Sequence, residues 1–249
     1  MPRFFVRQNQ IDQDEITILG EDAHHIARSL RMAVGEELTV CDMQGNEYCG
    51  PILRFEEDRA VTMRIVSRQA SPNEPPCRIR LFQALPKGDK MDTVIQKAVE
   101  CGACEIVPFE SERCIVKAKA DGEERKTERR CRIAAEAAKQ CGRSVIPSVC
   151  PTVSFLQMLS MAAESDLALF CYEGDGTRPL GAILKEAVGR GLTSVSIVVG
   201  SEGGFSLREA DEAQKAGLCM TGLGKRILRT ETASGFVLAC LCCVMELDG

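Results

Sequence analysis

Tryptophan is absent from the 249-residue chain, and histidine and tyrosine occur twice each, so aromatic residues other than histidine make up only 4% of it. That shortage argues against an extended base-stacking surface. An excess of positive charge is also missing: 31 Lys and Arg stand against 36 Asp and Glu, for a net charge of −5. A generally basic nucleic-acid coat is excluded, while a local basic patch is not. The longest apolar run is the ten residues from Phe236 to Met245. A membrane-spanning helix needs about 20, so this run reads as a core helix. The opening MPRFFVRQNQ carries no apolar leader and no small-residue cleavage site. The expectation is a soluble, cytoplasmic protein that engages no membrane.

Cysteine, in contrast, is abundant, with 14 residues. A chain without a secretory leader and long enough to build its own core favours free thiols over a disulfide framework. Cys240, Cys242 and Cys243 sit inside an apolar pattern, where cysteine acts as a small buried hydrophobe. One C-x-x-C occurs, Cys101 to Cys104, with no second copy, and His24 and His25 are distant in sequence. A structural zinc site usually needs four ligands at recognisable spacing. No metal site is expected.

The chain divides by pattern. From Met1 to about Arg68 it reads mainly as strands. Glu37–Asp42 and Ala60–Val66 carry β-formers, and Gly35-Glu36, Gln44-Gly45-Asn46 and Glu57-Asp58 are turn signals. Only Asp22–Met32 reads as helix. Short strands at close spacing suggest a small barrel or sandwich. Ser71-Pro72-Asn73-Glu74-Pro75-Pro76 is a linker by composition. It separates domains over 1–70 and 77–249.

Beyond the linker, strands and helices alternate. Ile79–Leu85 is a strand. Met91, Val94, Ile95, Ala98 and Val99 then repeat at helical spacing, with Asp89 or Asp92 as cap and Gly102 as stop. Glu105–Phe109 completes a βαβ unit. Further helices are predicted over 124–141, 152–163, 180–189, 206–217 and 230–246, and strands over 145–149, 166–172, 195–199 and 218–221. Ser206 and Glu209 form an S-x-x-E capping box. The fold class is α/β with a parallel sheet.

Ligands of such sheets bind beyond the carboxyl ends of the strands. Two connections there are glycine-rich. Gly200-Ser201-Glu202-Gly203-Gly204-Phe205-Ser206 follows the strand SIVV. It is neither G-x-G-x-x-G nor a Walker A loop, and alone it also reads as a tight strand-to-helix turn. The second runs from Gly222 to Ala233, GLGKRILRTETA, into the last helix. Lys225, Arg226 and Arg229 beside Ile227 and Leu228 suit a flat covering ligand such as an adenine. Thr230 or Thr232 equally fits a helix N-cap.

GSEGGFS and LGKRILRTETA resemble the two cofactor loops of the RsmE-type small-subunit (16S) rRNA uridine-N3 methyltransferases, a family of the SPOUT class. MPRFFV, HHIARSLRMAVGEELTVCDMQGNEY, LFQALPKGDKMDTVIQKAVECGACEIVPF and EAAKQCGRSVIP extend the resemblance over nearly the whole chain. Ser201 stands where a Pro is expected, and Cys101 where an apolar Leu is expected.

The resemblance implies an N-terminal PUA-like β-barrel over 1–70 that binds RNA. It implies a SPOUT-type α/β-knot methyltransferase domain over 77–249, with a trefoil knot formed after about Val195. S-adenosylmethionine would be held by Gly200, Glu202 and Gly203 of the first loop, by Leu223, Gly224, Lys225, Arg226, Ile227 and Leu228 of the second, and by Thr232. The implied substrate is 16S rRNA or the assembled small ribosomal subunit, and the implied assembly a homodimer, with Phe236–Met245 either dimer face or core. Uridine N3 carries a proton at neutral pH, so a cation must stabilise charge on the ring and a base must take the proton. Arg229 and Arg143 are the candidate cations and Glu231 the candidate base. Arg143 also reads as a helix C-terminal residue, and Glu231 as a first-turn acid.

His24 and His25 lie far from the glycine loops and read as packing or RNA contact. Residues 113–143 hold ten Lys and Arg against five acids, and 150–221 nine acids against five bases. Arg3, Arg7, Arg28 and Arg31 are candidate RNA contacts of the first domain. The alternative for 113–143 is a solvated helix with pairs such as Glu128 and Arg132. Shape-based recognition of folded rRNA suits the shortage of aromatics. Competing readings are another SPOUT activity (ribose 2′-O or a different base), a non-catalytic RNA-binding ribosome-assembly factor, and, more distantly, a dinucleotide-dependent oxidoreductase, for which G-x-G-x-x-G is missing.

Overall fold

The computed structural model describes residues 3–56, 59–118 and 121–247, so the turn predicted at Glu57-Asp58 lies outside the described residues. The chain forms two units, Met1–Glu74 with Ala138–Ile146 and Pro75–Ala137 with Pro147–Gly249.

The first unit holds strands β1 (Arg3–Phe5), β2 (Ile11–Asp12), β3 (Glu15–Leu19), β4 (Glu37–Cys41), β5 (Asn46–Glu56), β6 (Ala60–Arg64) and β7 (Ser67–Ala70). They pair in the order β1-β4-β5-β6-β3-β2, with β7 also on β5. Alternation sets the core, as a half-buried strand requires. Ile16 and Ile18 of β3 are buried opposite Met63 and Val61 of β6. The helix expected over Asp22–Met32 is shorter: α1 spans Glu21–His24 and runs on as a π turn, His25–Ser29. Ala23 and Ile26 face the core, while His24 and His25 are exposed, and the His25 ring lies 6.3 Å from that of the buried Phe4, centroid to centroid. Ala138–Ile146 joins this unit through Glu74. Its carboxylate accepts from the N–H groups of Ser144 (2.8 Å) and Val145 (3.1 Å) and pairs with Arg143 at 2.6 Å.

In the second unit the strands are β8 (Arg78–Ala84), β9 (Ala103–Glu110), β10 (Ser148–Val149), β11 (Val153–Ser154), β12 (Leu167–Cys171), β13 (Arg178–Pro179), β14 (Ser194–Val199) and β15 (Cys219–Gly222). The order is β10-β9-β8-β14-β12-β15-β13, with β11 also on β9, and these pairings are parallel. Parallel strands covered on both faces read as continuous apolar runs, and β14 is buried from Val195 to Val199. The helices are α2 (Lys90–Glu100), α3 (Glu123–Cys141, whose end lies in the first unit), α4 (Phe155–Ala162), α5 (Leu180–Val188), α6 (Leu207–Lys215) and α7 (Thr230–Cys242, continued by a π turn to Leu247). The five apolar residues read at helical spacing on α2 are all buried. Gly102 follows α2 at φ +85°, a conformation costly for a side chain.

Among the described residues, no helix is long and apolar enough to cross a membrane, and no group of three or more His, Cys, Asp or Glu is placed to hold a metal. The cysteines are free thiols. Burial pushes the Cys77 thiol up to about 11 and the Cys171 thiol up to about 12.

Candidate active site

Strands β8, β14, β12 and β15 lie side by side, and the connections leaving β12, β14 and β15 surround a cavity of about 490 Å³. Small-molecule sites occupy roughly 300–1,000 Å³. The first loop contributes Gly200, Ser201, Glu202, Gly204 and Phe205, and the second contributes Gly222 through Thr230. The connection after β12 adds Tyr172, Glu173 and Thr177, and α2 adds Lys90. Sequence reasoning did not single out these last four. They come from segments well separated from the glycine loops in the chain and carry no glycine signature.

The first loop is held from below by aromatic packing. The Phe205 ring lies 4.2 Å from Phe170 and 6.3 Å from Phe109 and Phe155, centroid to centroid. It is held at its end by the predicted capping box: Ser206 Oγ accepts from the Glu209 N–H (3.2 Å), and Glu209 Oε2 accepts from the Ser206 N–H (2.9 Å). Glu209 also accepts from the Glu112 N–H at 2.7 Å, which docks the connection after β9 onto this turn.

Thr230 joins the two loops. It is the first residue of α7, and its hydroxyl does not cap the helix. Instead it donates to the Gly200 carbonyl at 2.6 Å and accepts from Gln83 Nε2 at 2.9 Å. Arg229 takes the N-cap position with no side-chain cap bond, and Thr232 is exposed, so neither threonine acts as the expected cap.

The cavity thus brings together Gly200, Glu202, Leu223, Gly224, Lys225, Arg226, Ile227, Leu228 and Arg229. Gly203, Thr232 and Glu231 border it without lining it. A Cβ at Gly203 would meet Arg113 Cβ at 2.9 Å and the Arg113 carbonyl at 3.1 Å, so this glycine serves a close approach between two segments of the chain. Gly224 has φ +105°, and a Cβ placed there would meet open space, so its backbone is available to a ligand. Lys90 Nζ lies 2.8 Å from Glu202 Oε1 and 3.5 Å from Glu231 Oε2. Burial pushes the Glu202 carboxyl up, but the hydrogen bonds from Lys90 and the Lys87 N–H outweigh it and hold the group below the usual carboxylate range.

Arg143 is not brought to the cavity. It is 4% exposed and bonded to Glu74 within the first unit. Arg3 pairs with the buried Glu47, which also accepts from Ser71 at 2.6 Å. Arg7, Arg28 and Arg31 are exposed. Part of the positive excess over 113–143 is offset locally, through Arg129–Asp92 and Lys139–Asp22 (2.8 Å), while Arg130–Glu123 (3.2 Å) pairs within the segment.

Comparison with known proteins places this architecture. The RNA methyltransferase domain family matches residues 73–242, and the RNA methyltransferase PUA domain matches 18–50. The chain is 32% identical to ribosomal RNA small subunit methyltransferase E of Bacillus subtilis, over 99% of this chain and 98% of that protein. It is 31% identical to the protein of that description from Synechocystis, over 98% of this chain and 78% of that one. It superposes on a Neisseria gonorrhoeae ribosomal RNA small subunit methyltransferase E crystallised with S-adenosyl methionine, with a TM-score of 0.83, 30% identity and 98% of each chain covered. By identity and coverage alike, the chain belongs to the ribosomal RNA small subunit methyltransferase E family.

Proposed function

We propose that this chain methylates N3 of a uridine in 16S rRNA, with S-adenosylmethionine held in the cavity beyond β12, β14 and β15. The observation that carries this reading is the meeting of GSEGGFS and LGKRILR at one cavity with Arg229 on its wall. The residues present fit the cofactor. The volume of about 490 Å³ suits a small molecule. Gly224 offers open backbone, and Ser201 Oγ is a buried hydroxyl without a hydrogen-bond partner among the described residues. The Neisseria relative, at 30% identity, was crystallised with this cofactor.

Gly200, Ser201 and Glu202 would form one wall of the bound cofactor and Leu223 to Leu228 the other. Ile227, 85% exposed, is the apolar cover an adenine would use. When bound, the cofactor supplies an electrophilic methyl carbon whose bond to sulfur breaks as its bond to N3 forms. Arg229 stabilises the negative charge that develops on the uracil oxygens. Glu231, one residue into α7, accepts the N3 proton and passes it to solvent. Arg143, tied to Glu74, serves stability. Thr232 and Gly203 support the two loops from outside the cavity.

The residues 1–70 form the PUA-like β-barrel in this reading, with Arg7, Arg28 and Arg31 as its phosphate contacts and Arg3 as a structural ion pair. The domain over 77–249, joined by 71–76, carries the SPOUT trefoil knot. Helix α7 buries Val237, Leu238 and Leu241 and leaves Phe236 and Ala239 exposed, as is Cys243 of the π turn after it, an apolar stripe that we assign to a homodimer. Its ribosomal substrate puts the protein in the cytoplasm.

Transfer of label from S-adenosylmethionine tests the reading. Small subunits and protein-free 16S rRNA from cells lacking the gene are incubated with the wild-type chain. Incorporation into 16S rRNA in either form supports it, and no incorporation in both overturns it.

A further inference from the structure

Lys90 is the first residue of α2, and the N–H of Lys87 just before it donates to the Glu202 carboxylate at 3.2 and 3.4 Å. The Lys90 ammonium donates to Glu202 at 2.8 Å and lies 3.5 Å from Glu231 Oε2. Three segments therefore meet at one cation: the start of α2, the first glycine loop through Glu202, and the start of α7 through Glu231. The two carboxylates are served unequally. Glu202 accepts from both an ammonium and a backbone N–H. Glu231 Oε2 is buried and accepts no hydrogen bond among the described residues. A carboxylate oxygen taken out of water is costly unless a charge compensates it, and Lys90 is the cation placed to do so. Helix α7 packs on α2, which presents Lys90, on β14, whose SVSIVV sequence holds nothing titratable, and on the π turn that continues it; Glu202 reaches the site from the loop after β14, and Arg229 lies two residues before Glu231.

We propose that Lys90 is a positioning residue for methyl transfer, sharing one ammonium between Glu202 and Glu231 so that the cofactor loop and the proton acceptor are set by the same group. This rests on the reading of Glu231 as the acceptor of the N3 proton. Lys90 touches neither reacting atom. It fixes the carboxylate that does, and it links that carboxylate to the loop that cradles the cofactor. Lysine suits the task because its compact ammonium can donate to Glu202 while standing as a point charge 3.5 Å from Glu231. Hydrogen bonding to Glu202 holds this ammonium above its usual range, so it stays charged through the neutral region.

The test compares K90A, K90R and E202Q with wild type by kcat at saturating cofactor, with cofactor affinity measured separately by calorimetry. K90A should lose at least roughly tenfold in kcat. K90R should restore most of the rate. E202Q leaves Lys90 to Glu231, so it should weaken cofactor affinity and lose less kcat than K90A. A K90A rate equal to wild type overturns the proposal, as does a K90A loss confined to cofactor affinity. Equal kcat losses in K90A and E202Q overturn it too, because they report a loosened site. E231Q separates the layers. If E231Q turns over like wild type, the acceptor role and the Lys90 proposal fail together while methyl transfer stands. If the wild-type chain transfers no methyl group, the functional reading itself fails.

Discussion

The Thr230 hydroxyl donates to the Gly200 carbonyl at 2.6 Å while accepting from the buried Gln83 amide at 2.9 Å. One side chain therefore ties the strand-end of the first glycine loop to the helix that leaves the second. Removing the hydroxyl leaves buried polar groups under-satisfied, at about 1–3 kcal/mol. T230V should melt several degrees lower, at about 2–4 °C per kcal/mol for a chain of this size, and bind S-adenosylmethionine more weakly. T230S should stay near wild type. Equal melting and affinity for T230V and wild type would show that this bond does not hold the loops.

Gly224 and Gly203 should fail for different reasons. At φ +105° with open space around it, Gly224 tolerates the volume of a side chain but not its backbone strain, which costs about 1–3 kcal/mol. G224A should therefore lose cofactor affinity from a displaced loop while the melting temperature falls only modestly. At Gly203 the obstacles are the Cβ and the carbonyl of Arg113. G203V should lower the melting temperature first, and cofactor affinity only as a consequence.

Arg229 and Arg143 should separate in the same way. Arg229 lines the cavity and is exposed. R229A should lower kcat by about 10²–10³-fold with the dissociation constant for S-adenosylmethionine little changed. Arg143 is buried against Glu74. R143A should cost about 1–3 kcal/mol by removing the guanidinium from Glu74, whose carboxylate keeps the Ser144 and Val145 N–H groups, yet folded molecules should keep their rate. A rate loss in R143A without a stability loss would return Arg143 to the chemistry.

Acid should destabilise the fold through its hydrogen-bonded carboxylates. Burial pushes the Asp42 carboxyl up, but hydrogen bonds from Asn46, the Gln44 N–H and Tyr48 outweigh it and hold the group below its ordinary range. Glu47 and Glu123 are lowered likewise. A group with a lowered folded-state value contributes stability above its unfolded value, near 4, and loses it as pH falls through the folded one. Denaturant midpoints should be flat above about pH 5 and drop below about pH 4. D42N should be less stable at neutral pH but less sensitive to acid.

Local pattern accounts for what was readable in the sequence. The apolar face of α2 and the Ser206–Glu209 box need only residues three to eight apart, and both occur as read. The glycine loops were legible because strand, glycine cluster and helix follow one another directly. What escaped was long-range. Lys90 meets Glu202 across more than a hundred residues, and Glu74 captures Arg143 across 69. The two-residue strands β11 and β13 pair at the sheet margin without a hydrophobic alternation to announce them.

The central claim is the atom methylated. Labelled 16S rRNA from the transfer reaction, digested to nucleosides and separated by mass spectrometry, should carry its label in 3-methyluridine. Label in a ribose-methylated nucleoside or in another base would contradict the assignment to uridine N3, even with the cofactor, the cavity and the family unchanged.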